Sequence, residues 1–217
     1  ILIRNGLDPD TEQRTGSWRQ FLKMHAETLW ACDFISTRIW TKHGLRFAYF
    51  LFFVHVETRR VIVSPATCHP TKEWVDEQAI SFAKRARADG LPAGILLRDR
   101  DRKFSGGFDE TLARYGVRAQ PVSIKSPNLN AVAERWAQSV QHECLDHFVI
   151  LGERHMTHLI DEYTEYYNTR RPHQSKDNKP LARDGPAPNK QTLLDASTVA
   201  CEERLGGLLR HYYRPAA

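Results

Sequence analysis

Asp33 interrupts what is otherwise an apolar strand, with Trp30, Ala31 and Cys32 before it and Phe34 and Ile35 after it. Burying a lone carboxylate costs several kcal/mol unless it is paired or binds a cation. Asp99 follows Ile95, Leu96, Leu97 and Arg98. That places it at the C-terminal end of a short strand, where sites in α/β sheets commonly open. Glu134 falls one turn inside a helix, within NLNAVAERW, beside small residues that let another group approach closely. Each has an ordinary explanation when taken alone: an edge-strand Asp, a turn-forming Asp, a solvated helix Glu. The chemistry open to the three together is the binding of a cation.

The surrounding pattern shows what would have to position them. Leu29–Thr37 reads as a strand, Phe47–Thr58 as a second rich in aromatic residues, and Arg60–Thr67 as a β-branched third. The last two, joined through Glu57, Thr58 and Arg59, predict an antiparallel meander. Thr71–Ala88 has the apolar stripe of a helix, with Thr71 as N-cap and Gly90 closing it. A strand at Ile95–Leu97, a helix over Phe108–Tyr115 ending at Gly116, and a strand at Val117–Val122 follow. Long helices then cover about Leu129–Phe148 and Glu153–Tyr167. This order predicts an α/β fold: a five-stranded mixed sheet flanked by helices on both sides.

Composition narrows the class. Of 217 residues, 41% are hydrophobic and 26% charged, as in a globular protein, and the net charge of +5 favours anionic partners. Cys32, Cys68, Cys144 and Cys201 are isolated, which suits reduced thiols in a cytoplasmic protein. No run approaches the roughly 18 apolar residues of a membrane span, and no membrane partner is expected. Residues 169–190 carry six Lys or Arg against two Asp, with four prolines, and read as an extended basic arm. Arg204–Tyr213 fits either a strand or a short amphipathic piece. The expected organisation is an N-terminal linker with helical extension (1–28), a core (29–168) and a basic C-terminal arm (169–217).

Four motifs carry a likeness that no single one would: ACDF (31–34), RDRDRKF (98–104), SPNLNAVAERW (126–136) with HECLDH (142–147), and YYNTRRPHQ (166–174). In this order and at these separations they resemble the integrase core family of the ribonuclease H-like fold. The likeness is to bacterial insertion-sequence transposases related to retroviral integrases, and it spans about Trp18 to Leu181. It implies a DNA transposase or integrase core, with Asp33, Asp99 and Glu134 as catalytic residues holding two Mg²⁺ (or Mn²⁺) ions. Such ions, roughly 3.5–4 Å apart, stabilise the attacking and leaving oxygens of a phosphoryl transfer. Asp101 rivals Asp99 for the second position. Asp99 is preferred because it ends the apolar strand directly and because Asp-Arg aligns with the family's Asp-Arg-Gly.

For nucleic-acid binding the expected residues are Lys125, Asn130, Arg135, His142, Arg170 and Arg171. Gln141 stands where related proteins often have Lys or Arg, a departure that weakens the expected grip on DNA. The implied partners are double-stranded DNA, as element ends and target, and further copies of the chain, because two DNA ends must be handled together. A helix-turn-helix recognition domain is expected ahead of the core, outside this sequence, and the setting is the bacterial cytoplasm near the nucleoid. Three other readings compete. His142-Glu143 with His147 imitates a zinc-protease motif, but five helical positions turn the imidazoles about 140° apart. A catalytically inactive or domesticated DNA-binding fragment would keep the fold. A nuclease of the same fold would keep the carboxylates too.

Overall fold

The computed structural model describes residues 24–104, 106–121, 131–181 and 199–213. Its strands are β1 (Leu29–Thr41), β2 (Gly44–His55), β3 (Val61–Val63), β4 (Ile95–Arg98), β5 (Arg118–Pro121), β6 (Ala200–Arg204) and β7 (Leu209–Tyr213). The helices are α1 (Lys72–Ala88), α2 (Gly106–Arg114), α3 (Ala131–Glu143) and α4 (Gly152–Thr169). Strands β1–β5 form one sheet in the order β3-β2-β1-β4-β5. The β1–β2 and β2–β3 pairs are antiparallel, and the β1–β4 and β4–β5 pairs are parallel. The mixed five-stranded sheet predicted from the sequence is therefore present.

Burial on both faces explains why β2 reads as an almost unbroken apolar run. Along β1, Leu29, Ala31, Ile35 and Ile39 join Phe50, Phe52, Val54 and the α3–α4 residues Ala133, Trp136, Met156 and Leu159 in one core. The alternate residues Trp30 and Cys32 join Leu51, Phe53, Val75, Phe82, Leu96 and Phe108 in a second core against α1 and α2. Side chains two apart on a strand share a face, so each strand feeds both cores.

Several element bounds differ from the sequence reading, each for a local reason. β1 runs on to Thr41, because Arg38–Thr41 continue the register against Gly44–Phe47. β3 stops at Val63, since Pro65 offers no amide hydrogen; Ser64 continues the contact differently, its Oγ accepting from the Leu51 amide at 2.9 Å. The edge of β3 is capped by one side chain, with Asn168 Oδ1 accepting from the Val61 amide and Nδ2 donating to the Val61 carbonyl, both at 2.9 Å. The α1 cap is as predicted: Thr71 Oγ1 accepts from the Trp74 amide, and Gly90 follows at φ +69°. α3 ends at Glu143 because Cys144 leaves helical geometry (φ −134°), and a 3₁₀ turn covers Leu145–His147.

The C-terminal stretch shows the largest difference. β6 and β7 pair as an antiparallel hairpin, with Gly206 and Gly207 at positive φ in its turn. The hairpin rests on α4. Leu209 is buried in the first core, Arg204 pairs with Glu162 at 3.2 Å, and Arg170 pairs with Glu202 at 3.2 Å. Residues 169–181, read as part of an extended arm, are likewise folded against the body. His173 is buried, and the main chain at His173 and Lys179 forms a bridge.

Candidate active site

Sheet register sets two of the three carboxylates side by side. β1 and β4 run parallel with Cys32 opposite Arg98, so Asp33 on β1 and Asp99, just past the end of β4, each follow that last pair. Strands in a sheet lie about 5 Å apart. By alternation Asp33 shares the face of Ala31 and Ile35, and Asp99 that of Ile95 and Leu97, the face covered by α3 and α4. The third carboxylate follows from helix packing. Asp33 pairs across the sheet with Phe52, whose ring lies 4.5 Å from that of Trp136. Glu134 is two residues before Trp136 on α3, exposed at the flank of the buried stripe.

The electrostatics register the same convergence. Burial pushes the Asp33 carboxyl up to about 6, and Asp99, Asp101 and Glu134 push it the same way. Only the Phe34 amide, donating to Asp33 Oδ1 at 2.7 Å, opposes them. The neighbouring Cys32 thiol is raised by burial and then by Asp33 and Asp99. The Cys32 side chain packs in the second core, on the other face of the sheet. Among the described residues no three His, Cys, Asp or Glu side chains are drawn into a preformed metal cage.

Asp99 and Asp101 are treated differently by their neighbours. Asp101 Oδ2 takes the Lys103 ammonium at 2.6 Å, and Oδ1 takes the Lys103 amide at 2.9 Å. Burial would raise the Asp101 carboxyl, but these bonds outweigh it and hold it below the ordinary value. Among the described residues, Asp99 Oδ1 accepts a hydrogen bond only from the Asp101 amide, at 3.0 Å. Lys103 in turn lies over the Phe34 and Tyr49 rings at 5.2 and 5.3 Å. The strand end is braced by Arg98, which is buried on the opposite face. Its Nε and Nη2 grip Asp109 at 2.9 and 2.7 Å, and its Nη1 donates to the Asp99 carbonyl at 3.0 Å.

The predicted nucleic-acid residues are dispersed. Lys125 and Asn130 lie outside the described residues. Arg135 is exposed on α3. His142 is exposed and 3.2 Å from Asp146, an acceptor it shares with Gln141. The His147 ring bonds the His142 carbonyl at 3.0 Å, so the two imidazoles do not converge as the zinc-protease motif would require. Arg170 pairs with Glu202, and Arg171 holds both oxygens of Glu143 at 2.8 and 2.6 Å. Tyr163 Oη donates to the same carboxylate at 3.0 Å, and Arg171 lies 5.5 Å from the centre of the Tyr167 ring. This clamp between the end of α3 and the chain after α4 is absent from the sequence reading. Its partners are far apart in the chain, and only the charge of each was visible. Lys103 and Arg98 were better signalled. An arginine facing inward at the end of an apolar strand requires a carboxylate.

The family model described as integrase core domain matches residues 115–180. Among solved structures, the chain is similar to the HTLV-2 integrase catalytic core domain, determined in complex with magnesium in a trimeric form. The likeness has a TM-score of 0.51 at 16% identity, covering 71% of this chain and 93% of that one. The chain has the fold of an integrase catalytic core. No curated protein matches it by sequence. The ribonuclease H-like architecture implied by the four motifs is thus the observed one, and the integrase-core match covers the third and fourth of them completely. No helix among the described residues is long and apolar enough to cross a membrane.

Proposed function

We propose that this chain is the catalytic core of a DNA transposase or integrase that performs divalent-metal-dependent cleavage of DNA ends and strand transfer. The observation that carries the reading is that Asp33 and Asp99 each follow the last paired residues, Cys32 and Arg98, of adjacent parallel strands, on the sheet that the helix bearing Glu134 covers. The donor set fits Mg²⁺ or Mn²⁺: carboxylate oxygens, one of them partly desolvated and pressed by its like-charged neighbours. Asp33, Asp99 and Glu134 would hold the metal, which when bound neutralises charge on the attacking and leaving oxygens.

The protein's own groups have separate tasks. Asp33 supplies a carboxylate held to one orientation by the Phe34 amide. Arg98 fixes the main chain of Asp99 through its carbonyl, while Lys103 keeps Asp101 engaged elsewhere. Glu134 approaches the pair from an exposed flank of α3, close enough for its charge to act on Asp33. Arg135 contributes a phosphate contact from the next position on α3, with Lys125, Asn130 and His142 nearby in sequence. Arg170 and Arg171 meet DNA only if they exchange their carboxylate partners. The core acts as a homo-oligomer on double-stranded DNA, in the cytoplasm of a bacterium.

The test is an assay with labelled duplex ends in Mg²⁺ or Mn²⁺, using Asp33→Asn, Asp99→Asn, Glu134→Gln and Asp101→Asn. Joined products that vanish in the first three variants and persist in the fourth are expected. Cut but unjoined products would make the protein a nuclease. Retention of DNA without cleavage would make it a binding module.

A further inference from the structure

On the flank of α3 away from Glu134 lies a pocket of about 410 Å³, lined by Arg59, Val132, Arg135, Ser139, Tyr167 and Arg171 among others. Its cations are not equivalent. The donors of Arg171 are committed to Glu143 and to the Pro172 carbonyl. His173, also on the wall, uses Nε2 to donate to the Tyr167 carbonyl at 2.9 Å. Arg59 and Arg135 have no bonded carboxylate among the described residues, although neighbouring Arg60 approaches Asp89 at 3.9 Å. Arg59 is half-buried, and burial and then Arg135 both press its charge downward, against Tyr167. It also sits at φ +70° in the β2–β3 turn. A non-glycine residue held there is strained, and glycine would relieve the strain.

We propose that this pocket is a phosphate subsite, taking an oxyanion of a nucleic-acid backbone between the Arg59 and Arg135 guanidinium groups. A carboxylate's two oxygens lie in one plane, and Arg171 on Glu143 shows a single fork engaging both. A tetrahedral phosphodiester presents its oxygens in more than one direction and serves two forks at once. The Ser139 hydroxyl adds a neutral donor. Glu134 and Arg135 are consecutive on α3, about 100° apart around it, so a strand laid across the first turn of the helix reaches both flanks. The inference rests on the proposal that the chain acts on nucleic acid, and Arg59 is the residue it adds.

The test measures fluorescence anisotropy of a labelled DNA duplex with the full chain across a salt series. Arg59→Gln and Arg135→Gln are each expected to weaken binding roughly tenfold at low salt and to reduce the salt slope by about one. Arg59→Gly keeps the positive-φ backbone unstrained and should lose binding equally, which separates the charge from the fold. Arg114→Gln, on α2 across the sheet, is the control for net charge. Affinity and slope in the Arg59 variants equal to those of Arg114→Gln would overturn the subsite. A second arm compares melting temperature in inorganic phosphate and in chloride at equal ionic strength. If phosphate stabilises the protein through Arg59 while DNA affinity is independent of Arg59, the pocket serves a free phosphate compound and the nucleic-acid assignment falls. The Mn²⁺-induced rise in melting temperature, which the Arg59 variants should keep, reports the carboxylate site independently. Its absence in the unsubstituted chain would count against the metal reading and leave the subsite result standing.

Discussion

Asp33→Asn should make the metal-free protein more stable at pH 8, and the gain should disappear near pH 4. In the unfolded chain an aspartate titrates at about 3.9. In the fold, burial and then Asp99, Asp101 and Glu134 raise Asp33 to about 6, against the opposing Phe34 amide. Between those two pH values the folded state keeps a proton that the unfolded state has released. Stability contributed by this group therefore falls as pH rises from about 4 to about 6, and the full penalty persists above. At 1.36 kcal/mol for each tenfold change in acidity the penalty is at most about 3 kcal/mol, and residual hydration of the partly exposed side chain reduces it to ~1–3 kcal/mol. Asparagine carries no charge and keeps an oxygen to accept from the Phe34 amide. For a protein of this size the gain corresponds to roughly 2–10 °C in melting temperature.

Thermal unfolding in chelator at pH 4, 6 and 8 measures this directly. Adding Mn²⁺ should then reverse the order, since a cation bound only by the folded, unsubstituted protein adds stability by mass action. An Asn variant less stable than the parent at pH 8, or a difference that does not change with pH, would refute the reasoning.

Other outcomes are expected. Asp99→Asn and Glu134→Gln should remove the Mn²⁺-induced rise in melting temperature and metal-dependent cleavage, with Asp101→Asn retaining both; calorimetric titration with Mn²⁺ checks the first. Asn168→Ala leaves the Val61 amide and carbonyl without their partner and should cost about 2–4 kcal/mol in urea unfolding. Breaking the Glu143–Arg171 clamp with Glu143→Gln should cost ~1–3 kcal/mol, between the values for exposed and buried pairs, and a double-mutant cycle with Arg171→Gln should show the coupling. Leu209→Ala, which leaves a cavity under the C-terminal hairpin, should cost roughly 2–4 kcal/mol by the same measurement.

The sequence by itself determined the layers and singled out the two carboxylates borne at the sheet. Apolar patterns and the stops at Gly90 and Gly116 marked α1, β4 and α2, because helix stops and buried strands are local consequences of backbone freedom and hydrophobic period. Asp33 stood out as a charge among apolar neighbours, and Asp99 as the acid that closes a short apolar strand. Only the tertiary structure decided which charges meet. Asp101 is bound by Lys103 and Asp99 is not, Arg171 is bound by Glu143, and Arg59 and Arg135 share a pocket from positions far apart in the chain. The return of the C-terminal hairpin onto α4 was equally hidden, since its short strands are stabilised by Leu209 and by ion pairs to distant residues. Local pattern specifies what an element is. Partner choice between like-looking charges is a property of distance and desolvation, which exist only once the chain has folded.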